Sequence, residues 1–367
     1  MKKEKELILE LCKYNQTNKD KLEVLLKSDI DFPYVLGQLL FNRVGGVAYH
    51  TLKKFNLLGL LNREIRNTLQ TIYLANTEKT ISFKVIIDSL NTDFESLKIP
   101  YAFLKGSLLC FLYPLGCRTS NDIDVLINAE DIDVVSEMLV SKGYEQGYLK
   151  NGVFTKASRN EIITSRMMRG ETVPFIKRVD FPGMEYAEID INISLDYKND
   201  EKSLVDKILG NCCTYSYGIN SVRALDKYDF IIQLCSHLYK EATVYPWVKM
   251  GRDLSLYKFL DIYMLVFELS EEDCVFLYSR ICDLCLFNEC YYSLVYINAL
   301  FAILNDSLYF TMLELSLNAD GYVMSKVISP ENGKIYIYNE HNLVNRLFDF
   351  NRKNKLEERN NAKVEND

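Results

Sequence analysis

Along the first hundred residues, apolar positions recur three and four apart. Leu7 and Leu11, then Leu22, Leu25 and Leu26, then Val35, Leu36, Leu39 and Leu40 each mark one face of a helix. A longer amphipathic run from Arg63 to Leu90 predicts another helix, ending near Asn91. Lys98-Ile99-Pro100 then breaks the pattern, and Tyr101-Ala102-Phe103-Leu104 reads as a short apolar strand. Residues 1–97 are therefore expected to form an N-terminal helical region.

The period then changes from helical to two. Asp122-Ile123-Asp124-Val125-Leu126-Ile127 alternates polar and apolar in its first half, as a strand with one buried face should. Ala129 to Lys142 returns to helical spacing and is closed by Gly143. Short β-like pieces run from Tyr148 to Lys156 and from Phe175 to Val179, and Glu188-Ile189-Asp190-Ile191-Asn192-Ile193 is a second alternating strand. Residues 98–220 predict a mixed α+β unit. From about Leu225 to Leu317 the helical pattern is apolar nearly all round, the mark of a packed bundle. With the β-like Lys334–Tyr338 and one last helical stretch, residues 221–350 form a C-terminal helical region. The strongly polar residues 351–367 predict a frayed or disordered tail.

Composition narrows what such a chain can do. Its 367 residues are 48% hydrophobic and 12% aromatic, which excludes a wholly disordered protein, and 16 Gly with 7 Pro excludes a collagen-like one. Lys and Arg number 43 against 50 Asp and Glu, a net charge of −7. That balance argues against coating nucleic acid through bulk charge, while a local basic groove stays open. With three histidines in the chain, any metal must rest on carboxylates, which suit hard ions such as Mg²⁺. No run of about 18 apolar residues occurs, so neither a membrane span nor a membrane partner is expected. Met1-Lys2-Lys3-Glu4-Lys5-Glu6 leads into an amphipathic segment rather than the apolar core of a signal peptide, so a cytoplasmic location with reduced thiols is expected. The Cys282-x-x-Cys285 pair, nearby Cys290 and the Cys212-Cys213 pair lack a second CxxC or a His partner, and read as buried core thiols.

Three pieces carry chemistry. Lys105-Gly106-Ser107 follows a strand; a Gly-Ser turn into a helix lets backbone N–H groups approach a phosphate, and the hydroxyl adds a donor. Asp122 and Asp124 stand two apart on a strand, so both carboxylates point to one face and can share metal ions. Asp190, on a later strand, would complete an oxygen-lined site for one or two Mg²⁺. Two such ions clamp the attacking and leaving oxygens in phosphoryl or nucleotidyl transfer. Each piece alone is common; their order along the chain is the specific signal.

That order resembles the DNA polymerase beta-type nucleotidyltransferase superfamily, whose signature is Gly-Ser, then Asp-x-Asp, then a distal Asp. Within it, the chain is similar to a bacterial family of uncharacterised nucleotidyltransferases. The likeness rests on Leu104-Lys105-Gly106, Tyr113-Pro114, Arg118 four residues before Asp122, and Asp122-Ile123-Asp124-Val125-Leu126-Ile127. Asn42-Arg43-Val44, Leu234-Cys235-Ser236-His237-Leu238 and Leu260-Asp261-Ile262 extend it to roughly residues 35–265. The family's third motif, Asp-x-His, stands here as Asp190-Ile191-Asn192, with Asn in place of His. The resemblance implies an α+β nucleotidyltransferase fold, a mixed β-sheet catalytic domain between helical regions. It implies Asp122, Asp124 and Asp190 as catalytic ligands of Mg²⁺ or Mn²⁺, the last also assisting deprotonation of an acceptor hydroxyl. Gly106 and Ser107 would hold the triphosphate of ATP or another NTP, with Lys105 and Arg118 as charge partners. For Lys105 a solvated strand end, and for Arg118 an ion pair orienting Asp122 or Asp124, stand as alternatives.

His237 and Asp261 are implied as accessory positions, against the reading of a core histidine and a carboxylate with a buried partner; Lys240, one turn after His237, could line the same cleft, against the reading of an exposed helix lysine. Tyr186, Tyr197, Tyr239 and Tyr245 are candidates for stacking on a base, against plain packing. The resemblance implies transfer of a nucleoside monophosphate from an NTP to a hydroxyl or similar group of a small-molecule or peptide acceptor, with pyrophosphate release; a toxin or defence nucleotidyltransferase modifying tRNA or a partner protein, and a non-catalytic nucleotide-binding module, are the alternatives.

Overall fold

The computed structural model describes residues 2–168, 170–195, 202–218, 220–302 and 305–359. Two units divide the chain: residues 45–233, and residues 1–44 with 234–367.

In the unit of residues 45–233 the two alternating segments pair with each other. The strands are β1 (Tyr101–Phe103), β2 (Asp122–Ile127), β3 (Glu145–Lys150), β4 (Val153–Lys156), β5 (Phe175–Phe181), β6 (Met184–Asn192), β7 (Cys213–Tyr217) and β8 (Asn220–Ala224). Among the described residues they form one mixed sheet in the order β4-β3-β5-β6-β2-β1-β8-β7. β2 runs parallel to β6 and antiparallel to β1, and β1 parallel to β8. This is the mixed sheet expected from the sequence.

The alternation decides what each face carries. Ile123, Val125 and Ile127 of β2 and Ala187, Ile189 and Ile191 of β6 enter one apolar core. Phe83, Ile86, Ile87, Leu90 and Phe94 of the helix Arg63–Leu97 cover them, with Ile132, Val135 and Leu139 of the helix Ile132–Ser141. Each Val, Leu, Ile or Phe side chain among them, fully buried, contributes about 1.5–3 kcal/mol. The long helix starts where Asn62 caps the Ile65 N–H and ends at Lys98, whose φ is +56°. It outruns the expected end near Asn91 because Asn91 is a buried core residue, bonded to Glu95 and to the Tyr101 hydroxyl, rather than a terminator.

The same helix pins the loop between β1's following helix (Gly106–Leu112) and β2. Asn76 donates to the Gly116 carbonyl at 3.2 Å, Thr80 to the Arg118 carbonyl at 3.0 Å, and Lys79 to Asn121 Oδ1 at 2.5 Å. Gly116 has φ +81°, and a Cβ there would lie 2.7 Å from Tyr73 and Thr77, so only glycine lets the loop lie this close.

In the other unit, helices dominate, as expected: Lys3–Leu11, Lys19–Leu26 and Phe32–Phe41 at the N-terminus, and Leu256–Val266, Glu271–Leu284, Phe287–Phe301 and Asp306–Ser316 later. A small antiparallel sheet of β9 (Lys326–Ile328), β10 (Ile335–Tyr338) and β11 (Leu356–Arg359) accompanies them. β11 corrects the expectation of a frayed tail over its first part. Arg352 is buried and grips Asp253 through two hydrogen bonds, at 2.5 and 2.8 Å, while also donating to the Leu254 carbonyl. Composition hides such a pair, because its partners are 99 residues apart. Residues 360–367, and Tyr197, lie outside the described residues.

All ten cysteines are unbridged, but not all are core thiols. Cys285 is exposed, since the helix ends on it in the left-handed conformation, and Cys213 is exposed on β7. Among the described residues no helix is long and apolar enough to cross a membrane.

Arg352→Met should lower unfolding free energy by about 3–5 kcal/mol in urea titration, because Asp253 keeps the Tyr338 hydroxyl but is left buried without a counter-charge. A loss below about 1 kcal/mol would mean the pair does not tie the C-terminal segment down.

Candidate active site

The face of the sheet opposite the core is where the acids stand. Parallel pairing of β2 and β6 sets Asp124 beside Asp190 and Asp122 beside Glu188, with Leu126 beside Asn192. Residues two apart share a face, so Asp122, Asp124, Glu188, Asp190 and Asn192 form one polar surface. Glu171 bridges to Asn192 at its margin and adds to the field on Asp190.

Lys105 supplies the counter-charge. Its ammonium lies 2.6 Å from Asp124 Oδ1, with both side chains largely buried. The backbone there has φ +45°, unusual for a non-glycine residue and carrying strain of about 1–3 kcal/mol, at the residue that caps the helix Gly106–Leu112. Burial alone would pull the lysine's proton affinity down, but Asp124, Asp122 and Asp190 outweigh it and hold the ammonium more firmly than usual. Asn192 shares that oxygen, donating to the same Oδ1 of Asp124 at 3.3 Å. An imidazole there would change charge with pH, whereas the carboxamide stays neutral.

The acids are crowded beyond what one lysine offsets. Burial raises Asp190 well above the usual carboxylate range, and Asp124, Asp122, Glu171 and Glu188 raise it further. Burial also raises Asp124, against the opposing pull of Lys105 and Asn192. Glu188 is pushed up to about 6, by burial first and then by Asp122 and Asp124. The donors are all carboxylate oxygens, the chemistry of a hard divalent ion, and their surplus negative charge is what such an ion offsets. In that respect the residues fit Mg²⁺. Among the described residues no three His, Cys, Asp or Glu side chains are drawn together tightly enough to enclose a cation, and Asp124 Oδ1 is turned to Lys105 and Asn192.

The Gly-Ser turn sits directly beside this surface. A Cβ on Gly106 would lie 2.5 Å from Ser120 Oγ, and Ser120 donates to Asp122 Oδ1 at 2.9 Å. Glycine at 106 is thus what allows the loop carrying Arg118 and Ser120 to close on Asp122. Ser107 is fully buried; its N–H is used by the Leu104 carbonyl, and its hydroxyl has no partner. The Arg118 guanidinium donates to the Thr119 carbonyl.

His237, Lys240 and Asp261 belong to the unit of residues 1–44 and 234–367. His237 Nε2 lies 3.3 Å from Glu241 Oε2, which the Lys258 ammonium reaches at 2.5 Å. Asp261 is 4% exposed, one turn after Lys258.

Glu188 is the carboxylate that sequence reasoning missed. The signal was present: it stands two residues before Asp190 in the same alternation, so any strand presenting Asp190 must present Glu188 beside it.

Comparison with known proteins adds the following. A family model described as an uncharacterised nucleotidyltransferase matches residues 28–302. Two solved chains match. One of them is the crystal structure of an antigenic nucleotidyltransferase-like protein from Paracoccidioides brasiliensis, 15% identical, covering 55% of this chain and 88% of its own, with a TM-score of 0.32. No curated protein matches.

Because Glu188 binds its proton more tightly folded than unfolded, its ionisation opposes folding. The penalty is absent below about 4.5 and fully present above about 6. In EDTA, Glu188→Gln should raise stability at pH 8 by about 1 kcal/mol, after allowance for solvent screening, and flatten the stability profile between pH 4.5 and 6. An unchanged profile in thermal melts would remove Glu188 from the acidic cluster.

Proposed function

The chain belongs to this uncharacterised nucleotidyltransferase family, and on that premise we propose that it transfers a nucleoside monophosphate from an NTP to a hydroxyl of a small-molecule or peptide acceptor. The observation that carries the reading is the register of β2 on β6, which sets Asp124 against Asp190 with Asp122 on the same face and Lys105 at hand.

In this reading the acceptor oxygen bonds to the α-phosphorus, the bond from that phosphorus to the β-phosphate oxygen breaks, and pyrophosphate leaves. Asp122, Asp124 and Asp190 would hold Mg²⁺ or Mn²⁺, which when bound supplies neutralisation of phosphate charge. Asp190, whose burial and neighbours strengthen its hold on a proton, receives the proton of the acceptor hydroxyl. Lys105 and Arg118 balance negative charge on the leaving phosphates. The turn at Gly106 leaves the backbone open to the triphosphate, and the unpartnered Ser107 hydroxyl is the donor nearest that turn in sequence. Asn192 steadies Asp124 without gaining charge at any working pH.

Purified protein with each radiolabelled NTP, Mg²⁺ and pools of small-molecule, peptide and tRNA acceptors should release pyrophosphate with a labelled acceptor. Asp122→Ala and Asp124→Ala should each lower the rate on the order of a hundredfold or more while keeping the far-ultraviolet dichroism of the parent. Absence of Mg²⁺-dependent pyrophosphate release across all pools would overturn the assignment.

A further inference from the structure

A separate cavity lies within the sheet-bearing unit, at the end of the β1–β2 ladder away from the carboxylates. Pairing places Tyr101 against Ile127 at this end; at the other, Phe103 stands against Val125 and the Leu104 N–H reaches the Asp124 carbonyl. The volume is about 560 Å³, within the ~300–1,000 Å³ of small-molecule sites. Charges of both signs line it, Lys98 and Arg223 against Glu95 and Asp206, with Asn128 and Thr214 as neutral polar groups.

Two of these groups are prepared for a ligand. Arg223 is fixed in place: its backbone N–H donates to Asn91 Oδ1 at 3.1 Å, its Nε donates to the Tyr101 carbonyl at 3.3 Å, and its guanidinium lies over the Tyr101 ring. Those contacts leave its two terminal amino groups without a hydrogen bond among the described residues. Asn128 is only 7% exposed, and its Oδ1 is buried with no hydrogen-bond partner. Buried polar atoms are ordinarily paired, so the unpaired Oδ1 of this cavity-lining residue leaves a place where a ligand supplies the partner.

The complement of this wall is specific. The Arg223 fork matches a carboxylate, and Asn128 Oδ1 requires an N–H or O–H. Glu95 and Asp206 favour a cationic group and repel a polyanion such as a nucleotide triphosphate. We propose that the cavity binds a small zwitterion of the amino-acid or dipeptide class, its carboxylate on Arg223 and its N–H group on Asn128 Oδ1. Binding in this cavity does not depend on nucleotidyl transfer.

Calorimetric titration of the full chain with each free L-amino acid, with glycylglycine and with acetate tests it. At least one zwitterion should bind saturably and more tightly than acetate. Arg223→Gln and Asn128→Leu should each weaken that binding about tenfold or more, while leaving binding of Mg²⁺-ATP, measured separately, unchanged. Unliganded Asn128→Leu should melt at or above the parent, because it replaces an unpaired buried amide with an apolar side chain of similar size. The proposal is overturned if no zwitterion binds, if acetate binds as tightly, or if both variants bind undiminished. Melting of Asn128→Leu several degrees below the parent would overturn it too, by making Asn128 part of the scaffold.

Discussion

Everything on the functional face depends on holding carboxylates beside one another against their mutual repulsion. β2 and β6 do this through register: Asp122 beside Glu188, Asp124 beside Asp190, each pair fixed by backbone hydrogen bonds that the side chains cannot escape. Like charges directly opposite across strands destabilise a sheet, so the arrangement persists only because other interactions outweigh it. Those interactions lie on the opposite face, where Ile123, Val125, Ile189 and Ile191 are buried under the helix Arg63–Leu97. A register slip of one residue would put these apolar side chains in water and the acids in the core, so the apolar face enforces the polar one.

Lys105 and Asn192 moderate the repulsion without cancelling it. The lysine is locked on Asp124 by a short ion pair and by a backbone conformation that few side chains adopt. Its position follows from the turn, which in turn needs glycine at 106 to admit Ser120 and glycine at 116 to lie against Tyr73 and Thr77. The long helix therefore has two tasks, covering the core of the sheet and bracing the loop that closes beside Asp122. Rigid support of this kind is what a site needs when its groups must wait, charged and close, for a ligand to offset them.

Much of this was legible in the sequence, and for a physical reason. The period-two stretches at 122–127 and 188–193 announce both the strands and the side to which each acid points, so Asp122, Asp124 and Asp190 could be assigned to one surface before any pairing was known. Which strand lies next to which cannot be read, because register is a long-range property; Glu188 needs no register to be seen, since it lies in the same alternation as Asp190. The tail shows the complementary blind spot. Its polarity suggested disorder, but Arg352 finds Asp253 across the sequence, and a charge pair that distant leaves no local pattern. Cys285 departs from the expected core thiol for a third reason, since the helix ends on it and the apolar rhythm upstream says nothing of that boundary. Asn91 resembles a helix stop for the converse reason, being a polar residue whose bonds to Glu95 and Tyr101 keep it in the core.

The central claim is that the crowded carboxylates of β2 and β6 trade stability for the capacity to bind a divalent cation with a nucleotide. Its most direct test is the melting temperature of the full chain and of Asp190→Asn at pH 8, each without and with Mg²⁺ and a non-hydrolysable NTP. The account predicts that Asp190→Asn melts above the parent when unliganded, since every carboxylate around Asp190 raises its proton affinity, and that it loses most of the rise that the ligands give the parent. An unliganded variant less stable than the parent, yet stabilised equally by Mg²⁺ and nucleotide, would contradict it.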